Sequence, residues 1–124
     1  MRAYFWVALG AVFGACLRFA VSRYLAKIIA ADFPYGTLVI NITGSLILGF
    51  FMIWVRERVY ADIRWVWVIA IGFCGGYTTF SSYSFESMAL FEQGRIALFA
   101  ANIALNNILC LGSCLMGMAL ARWI

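Results

Sequence analysis

Apolar residues gather into four long stretches, residues 4–24, 37–55, 65–91 and 96–121, and the charged residues collect mainly at the joints between them. A hydrocarbon core about 30 Å thick is crossed by a helix of roughly 20 apolar residues, and each stretch is long enough. The pattern therefore predicts an all-α membrane protein of four transmembrane helices in one domain, residues 1–124. The joint "AADFPYGT" supplies turn chemistry through Pro34 and Gly36 before the second helix starts. The third stretch holds 27 residues, about 40 Å as a straight helix and longer than the core it has to cross. Gly72, Gly75 and Gly76 lie near its middle, where permissive backbone predicts an interruption.

Polar positions inside these stretches sharpen the picture. The segment "GFCGGYTTFSSYSFE", residues 72–86, places hydroxyls at Thr78, Thr79, Ser81, Ser82 and Ser84 among the rings of Phe80 and Tyr83. Backbone freed by a break is tolerated at membrane depth only where protein buries it or a polar cavity receives it, and transport proteins place such breaks near the midplane. Phe80 and Tyr83 share a helix face at i, i+3, with Ser84 one turn from Phe80. An aromatic stripe of this kind commonly belongs to a core; hydroxyls interleaved with positive ring edges also suit an anion shedding its water. Glu86 is the one carboxylate deep in a span.

Elsewhere, Asn41 sits one turn into an aliphatic helix, where it serves either as an interhelical hydrogen bond or as part of a site. Asn102 and Asn106 stand four apart with Cys110 one turn further, and Asn107 lies beside them, so this face meets protein or water. Gly10 and Gly14 have the spacing of close helix packing. Arg18, one turn later, has two readings: it snorkels to the headgroups, or it lends a water-filled vestibule a positive field.

Composition agrees with the membrane reading, since 66% of the 124 residues are hydrophobic and 11% charged. An N-terminal signal peptide fits poorly, because Arg18 interrupts the first run and three more spans follow. There is no histidine, and Cys16, Cys74, Cys110 and Cys114 form no CxxC pair, so metal-site and redox readings gain little. The net charge of +4 comes from nine scattered Lys and Arg, which form no patch for nucleic acid. If the N-terminus is cytoplasmic, that side carries Arg2, Arg56, Arg58, Arg64 and Arg122, against Arg23, Lys27, Arg95 and the nearby Arg18. So slight an imbalance gives little orientation preference, and predicts insertion both ways with pairing as an antiparallel homodimer.

The stretches "FPYGTLVINITGSLILGF" and "GFCGGYTTFSSYSFE" resemble the small bacterial fluoride channels of the Fluc or CrcB type, whose third helix carries a motif close to GxCGGxTTFSTFSxE. The likeness runs from "GACLR" around Arg18 to "EQGR" before the fourth helix. The resemblance implies a dual-topology antiparallel homodimer with two narrow pores in the bacterial cytoplasmic membrane, passing fluoride outward down its gradient. It matches Asn41 to the pore asparagine and Phe80 to the first ring of the family's aromatic box. Thr79, Ser81 and Ser84 fall on or beside its hydroxyl track, and Arg18 matches a vestibule arginine. Gly75 and Thr78 match positions whose carbonyls, from both subunits, hold a central structural Na⁺. Two departures from the pattern matter: Tyr83 stands for the second phenylalanine, and the polar positions of helix four are Asn102, Asn106 and Cys110.

Fluoride is small and tightly hydrated, so its passage needs several weak donors in place of water. The amides of Asn41 and Asn106, the hydroxyls and the ring edges are the candidates. A small multidrug/proton antiporter has a similar size but needs a carboxylate in its first span, and 4–24 contains none. A structural membrane subunit would account for the glycines and leave the hydroxyls without a role. An enzyme is disfavoured, because no nucleophile, base and orienter set is visible.

Overall fold

The computed structural model describes residues 1–57 and 62–124, and Arg58 of the charge comparison lies outside them. Among the described residues, four helical segments are long and apolar enough to cross a membrane: Arg2–Ile28, Tyr35–Arg56, Ile63–Glu92 and Ile96–Trp123. Each extends slightly beyond the predicted stretch at one or both ends, except at Ile96. The first and second are continuous and are called α1 and α2. The third is composite: α3 (Ile63–Trp65), a π-helical segment (Val66–Cys74), α4 (Gly75–Tyr77) and α5 (Phe80–Glu92); α6 is Ile96–Trp123.

The predicted interruption exists but stands in a different place. Gly75 and Gly76 are helical in α4, and Gly72 lies within the π-helical segment. The chain leaves the helix at Thr78 (φ −75°, ψ 158°) and Thr79 (φ −149°, ψ 115°), both extended. The expectation that the glycines form the break is therefore corrected: β-branched threonines accept extended backbone readily, and the glycines answer a packing demand. A Cβ on Gly72 would run into the backbone of Val7, Gly10 and Ala11, and one on Gly76 into that of Ala11. From the other side, Gly10 faces the Val68 carbonyl and Phe73 N–H, and Gly14 the Phe73 carbonyl and Tyr77 N–H. Four glycines thus bring two backbones together, the packing predicted for Gly10 and Gly14.

α2 occupies the centre, burying Leu38, Ile40, Gly44, Gly49, Phe51 and Ile53. It packs chiefly on α6, where Gly49 lies on the Cys114 carbonyl and Gly117 on the Leu46 carbonyl. Between α5 and α6 the chain reverses at Gly94, φ 73°, while the Arg95 N–H closes back on the Leu90 carbonyl at 2.9 Å. That left-handed position favours glycine. On this side Arg95 pairs with Asp32 at 2.6 Å, tying the α5–α6 turn to the α1–α2 joint. At the opposite end Asp62 caps α3 by accepting the Arg64 N–H at 2.9 Å and pairs with the Arg64 side chain.

Candidate functional site

The break creates an accounting problem that Asn41 solves. An unbroken helix would direct the Thr79 N–H to the carbonyl four residues back; here it goes to Asn41 Oδ1 at 2.8 Å. Asn41 Nδ2 in turn donates to the Thr79 carbonyl at 3.1 Å. One side-chain amide from α2 therefore satisfies both backbone groups of the residue where the third span opens, as lipid-depth backbone requires. On the far side of the break the Thr79 hydroxyl caps α5, accepting the Ser82 N–H at 3.1 Å.

From Asn41 a ladder of amides runs toward α6. Asn41 Nδ2 also donates to Asn106 Oδ1 (3.1 Å). Asn106 Nδ2 donates to the carbonyl (3.1 Å) and Oδ1 (2.8 Å) of Asn102. Asn102 Nδ2 donates to Ser87 Oγ at 2.9 Å, and that hydroxyl donates to the Tyr83 carbonyl at 2.7 Å. Asn102 is fully buried and Asn106 nearly so. The N–H groups of Asn41 and Asn106 are thus committed inside the protein.

Several hydroxyls of the third span are also committed locally. Thr78 donates to the Cys74 carbonyl at 2.8 Å and Ser84 to the Phe80 carbonyl at 2.9 Å, one turn back in each case. Thr79, Ser81 and Ser82 form a cluster, with Thr79 Oγ1 at 3.2 Å from Ser81 Oγ and 3.1 Å from Ser82 Oγ.

Three cavities lie in a row around these groups. The first, about 490 Å³, reaches from Asp32 and Pro34 to Thr37 and Glu86. The second, about 330 Å³, shares Ser22, Thr37 and Glu86 with it and adds Arg18, Thr79 and Ser81. The third, about 320 Å³, shares Thr79 with the second and is lined by Asn41, Thr78, Phe80, Tyr83, Asn106 and Cys110, among others. Phe80 and Tyr83 meet there with ring centroids 5.4 Å apart at 57°; Phe80 is 78% exposed and Tyr83 buried. Among the expected site residues, then, Asn41, Thr78, Thr79, Phe80, Tyr83 and Asn106 converge on one cavity. Arg18 and Ser81 line the neighbouring one. Asn102 reaches the site only through the ladder, whereas Ser84 and Gly75 line none of these cavities. A Cβ on Gly75 would meet nothing within 4 Å.

Three contributors, Thr37, Ser45 and Ser87, escape the sequence reading, which places Asn107 only beside Asn102 and Asn106. Thr37 donates to Glu86 Oε1 at 2.8 Å, while Glu86 Oε2 is buried with no hydrogen-bond partner among the described residues. Ser87 relays the ladder, Ser45 bonds the Cys110 thiol beside the third cavity, and Asn107 donates to the Tyr83 hydroxyl at 3.2 Å. Helical spacing held the signal: Thr37 is one turn before Asn41, and Ser87 one turn after Tyr83.

Four apolar spans, an interrupted third helix and a row of cavities leading to the break define a multi-pass membrane protein of transport type. Residues 5–118 match the model of the family described as CrcB-like protein, Camphor Resistance (CrcB). The chain is 56% identical over 124 residues to a protein of Koribacter versatilis called fluoride-specific ion channel FluC, covering 100% of this chain and 98% of the relative. A protein of the same name from Sulfurihydrogenibium is 41% identical over 124 residues, with both chains covered completely. One from Coxiella burnetii is 39% identical over 117 residues, 94% of each chain. The chain belongs to the CrcB family.

Proposed function

We propose that this chain is a fluoride-selective passive channel, not an enzyme, which lets fluoride leave the bacterial cytoplasm across the cytoplasmic membrane. Membership of the family and the name shared by relatives matched over nearly their whole length support the substrate. The observation that carries the mechanism is the row of cavities joined through Thr37, Glu86 and Thr79 and ending at Phe80, Tyr83 and Asn106. An anion following this row passes the first cavity to Thr37 and Glu86 and enters the Arg18 field in the second. It then meets the Thr79, Ser81 and Ser82 cluster, and last the ring edges of Phe80 and Tyr83, each an individually weak substitute for water. Weak, repeated solvation lets an ion leave as readily as it enters. Asn41, Asn102 and Asn106 act in this reading chiefly by holding the break open, and Ser84 by standing one turn from Phe80 at the track's edge.

The working form is an antiparallel dimer with two pores. Ser81 and Asn107 are exposed on the single chain beside Phe80 and the second and third cavities; lipid is a poor neighbour for their polar side chains, and a second copy is a suitable one. The same partner would complete a structural Na⁺ site. Thr79 withholds its N–H from Gly75, whose flank is open, so the Gly75 and Thr78 carbonyls are hard oxygen donors of the kind Na⁺ prefers. Bound there, the ion would neutralise the carbonyl ends gathered from two broken helices. Too few oxygens come from one chain, which is why this site requires the dimer.

Purified protein reconstituted in liposomes is expected to release fluoride rapidly and chloride hardly at all; equal rates would end the selectivity claim. Phe80→Ile is expected to lower fluoride efflux at least tenfold with the dimer intact, and wild-type efflux from it would remove Phe80 from the route.

A further inference from the structure

Tyr83 departs from the family pattern at the second aromatic position, and it brings a hydroxyl that a phenylalanine lacks. Asn107 Nδ2 lies 2.8 Å from the Ile103 carbonyl and 3.2 Å from Tyr83 Oη. A carbonyl oxygen only accepts, so the atom beside it must be the amide nitrogen, and the orientation of the Asn107 amide follows. That nitrogen carries two N–H groups and no lone pair to offer: one serves Ile103, the other Tyr83. The phenolic oxygen is therefore the acceptor in its bond to Asn107, and its own proton is left over. Among the described residues no second partner takes that proton. Tyr83 is buried and lines the third cavity together with Asn107, while the Asn41 and Asn106 amide protons are engaged elsewhere.

We propose that Tyr83 serves the passing anion as a phenolic O–H donor, and that Asn107 is the positioning residue that keeps this proton available by occupying the oxygen. This rests on the channel reading above. It gives this chain a donor where a phenylalanine offers only a ring edge, and it assigns Asn107 a task distinct from the Asn41–Asn106–Asn102 ladder. A neutral O–H facing an anion makes a charge-assisted bond, so its loss is expected to be felt in fluoride flux more than in folding.

The experiment is fluoride efflux from liposomes for wild type, Tyr83→Phe, Asn107→Leu and the double variant, with thermal unfolding in detergent as the control on folding. Tyr83→Phe is expected to slow efflux about tenfold at unchanged unfolding temperature. Asn107→Leu is expected to slow it severalfold, and the double variant to lose no more than Tyr83→Phe alone, since both act on one proton. Tyr83→Phe, which restores the family's ring, stands independently of whether Asn107→Leu folds. Wild-type efflux from Tyr83→Phe or additive losses in the double variant would overturn the proposal. Failure of wild type itself to pass fluoride would overturn the channel reading and this inference with it, a result distinguishable from the former two.

Discussion

The two halves of the third span hold their backbone in place by opposite means. Before Thr78, the π-helical segment and α4 press against α1, with Gly10, Gly14, Gly72 and Gly76 removing side chains so that backbone meets backbone. After Thr79, α5 is held by side-chain amides and hydroxyls: Asn41 at the break, then Asn106, Asn102 and Ser87. The first half has no polar side chain bridging it to α1 among the described hydrogen bonds; the second depends on them. Close dispersion contact suffices where the helix is intact, because its peptide groups are already paired. An opened backbone needs donors and acceptors brought from elsewhere, and asparagine carries one of each in a plane that matches a peptide group.

The contrast breaks most severely in the first half. Gly14→Leu places a side chain into the Phe73 carbonyl and Tyr77 N–H, atoms that cannot swing aside. The expected cost exceeds about 3 kcal/mol, the upper end for overpacked cores, read as loss of monodisperse protein in detergent. A well-folded Gly14→Leu protein would mean that backbone contact is not what joins α1 to the third span.

In the second half, Asn41→Leu removes an amide rather than adding a clash. It strands the Thr79 N–H and C=O, each worth about 1–3 kcal/mol when left unsatisfied, so a total of about 2–6 kcal/mol is expected in chemical unfolding, together with collapse of fluoride efflux. Asn41→Asp sharpens the test: the carboxylate still accepts the Thr79 N–H but donates to neither Thr79 nor Asn106. It is expected to fall between wild type and Asn41→Leu, and equality with wild type would show that the donated bonds do not matter.

The smallest effect is expected at Gly75, the glycine of the first half with open space around it. Gly75→Ala is expected to leave the chain's own fold unchanged or more stable by up to about 1 kcal/mol, the ordinary helix preference for alanine, as measured by helix content and thermal unfolding. A large loss of helix would place Gly75 among the packing glycines and erase its contrast with Gly14.

The residues that sequence and structure assign differently show where legibility ended. Gly72, Gly75 and Gly76 stood out as the natural place for a break, and glycine permits one; but permission is not demand, and α1 needed two of these glycines for contact. Thr78 and Thr79 break the helix because Asn41 is waiting on α2 to receive the freed groups, a relation across 38 positions. The hydroxyl-rich run read as a row of donors, whereas Thr78 and Ser84 return their protons to the preceding turn. Asn107 looked like a neighbour of Asn102 and Asn106, yet it faces Tyr83 and stands outside their ladder.

Sequence by itself determined the four spans, the presence of an interruption in the third, the glycine face of α1 and the set of polar residues that lipid could not accommodate. These follow from length, hydropathy and helical period, which are local properties. Tertiary structure alone decided which peptide opens, which amide protons are engaged and which phenolic proton remains free. Hydrogen bonding saturates: a donor's availability depends on every acceptor within reach, and those acceptors come from helices far apart in the chain.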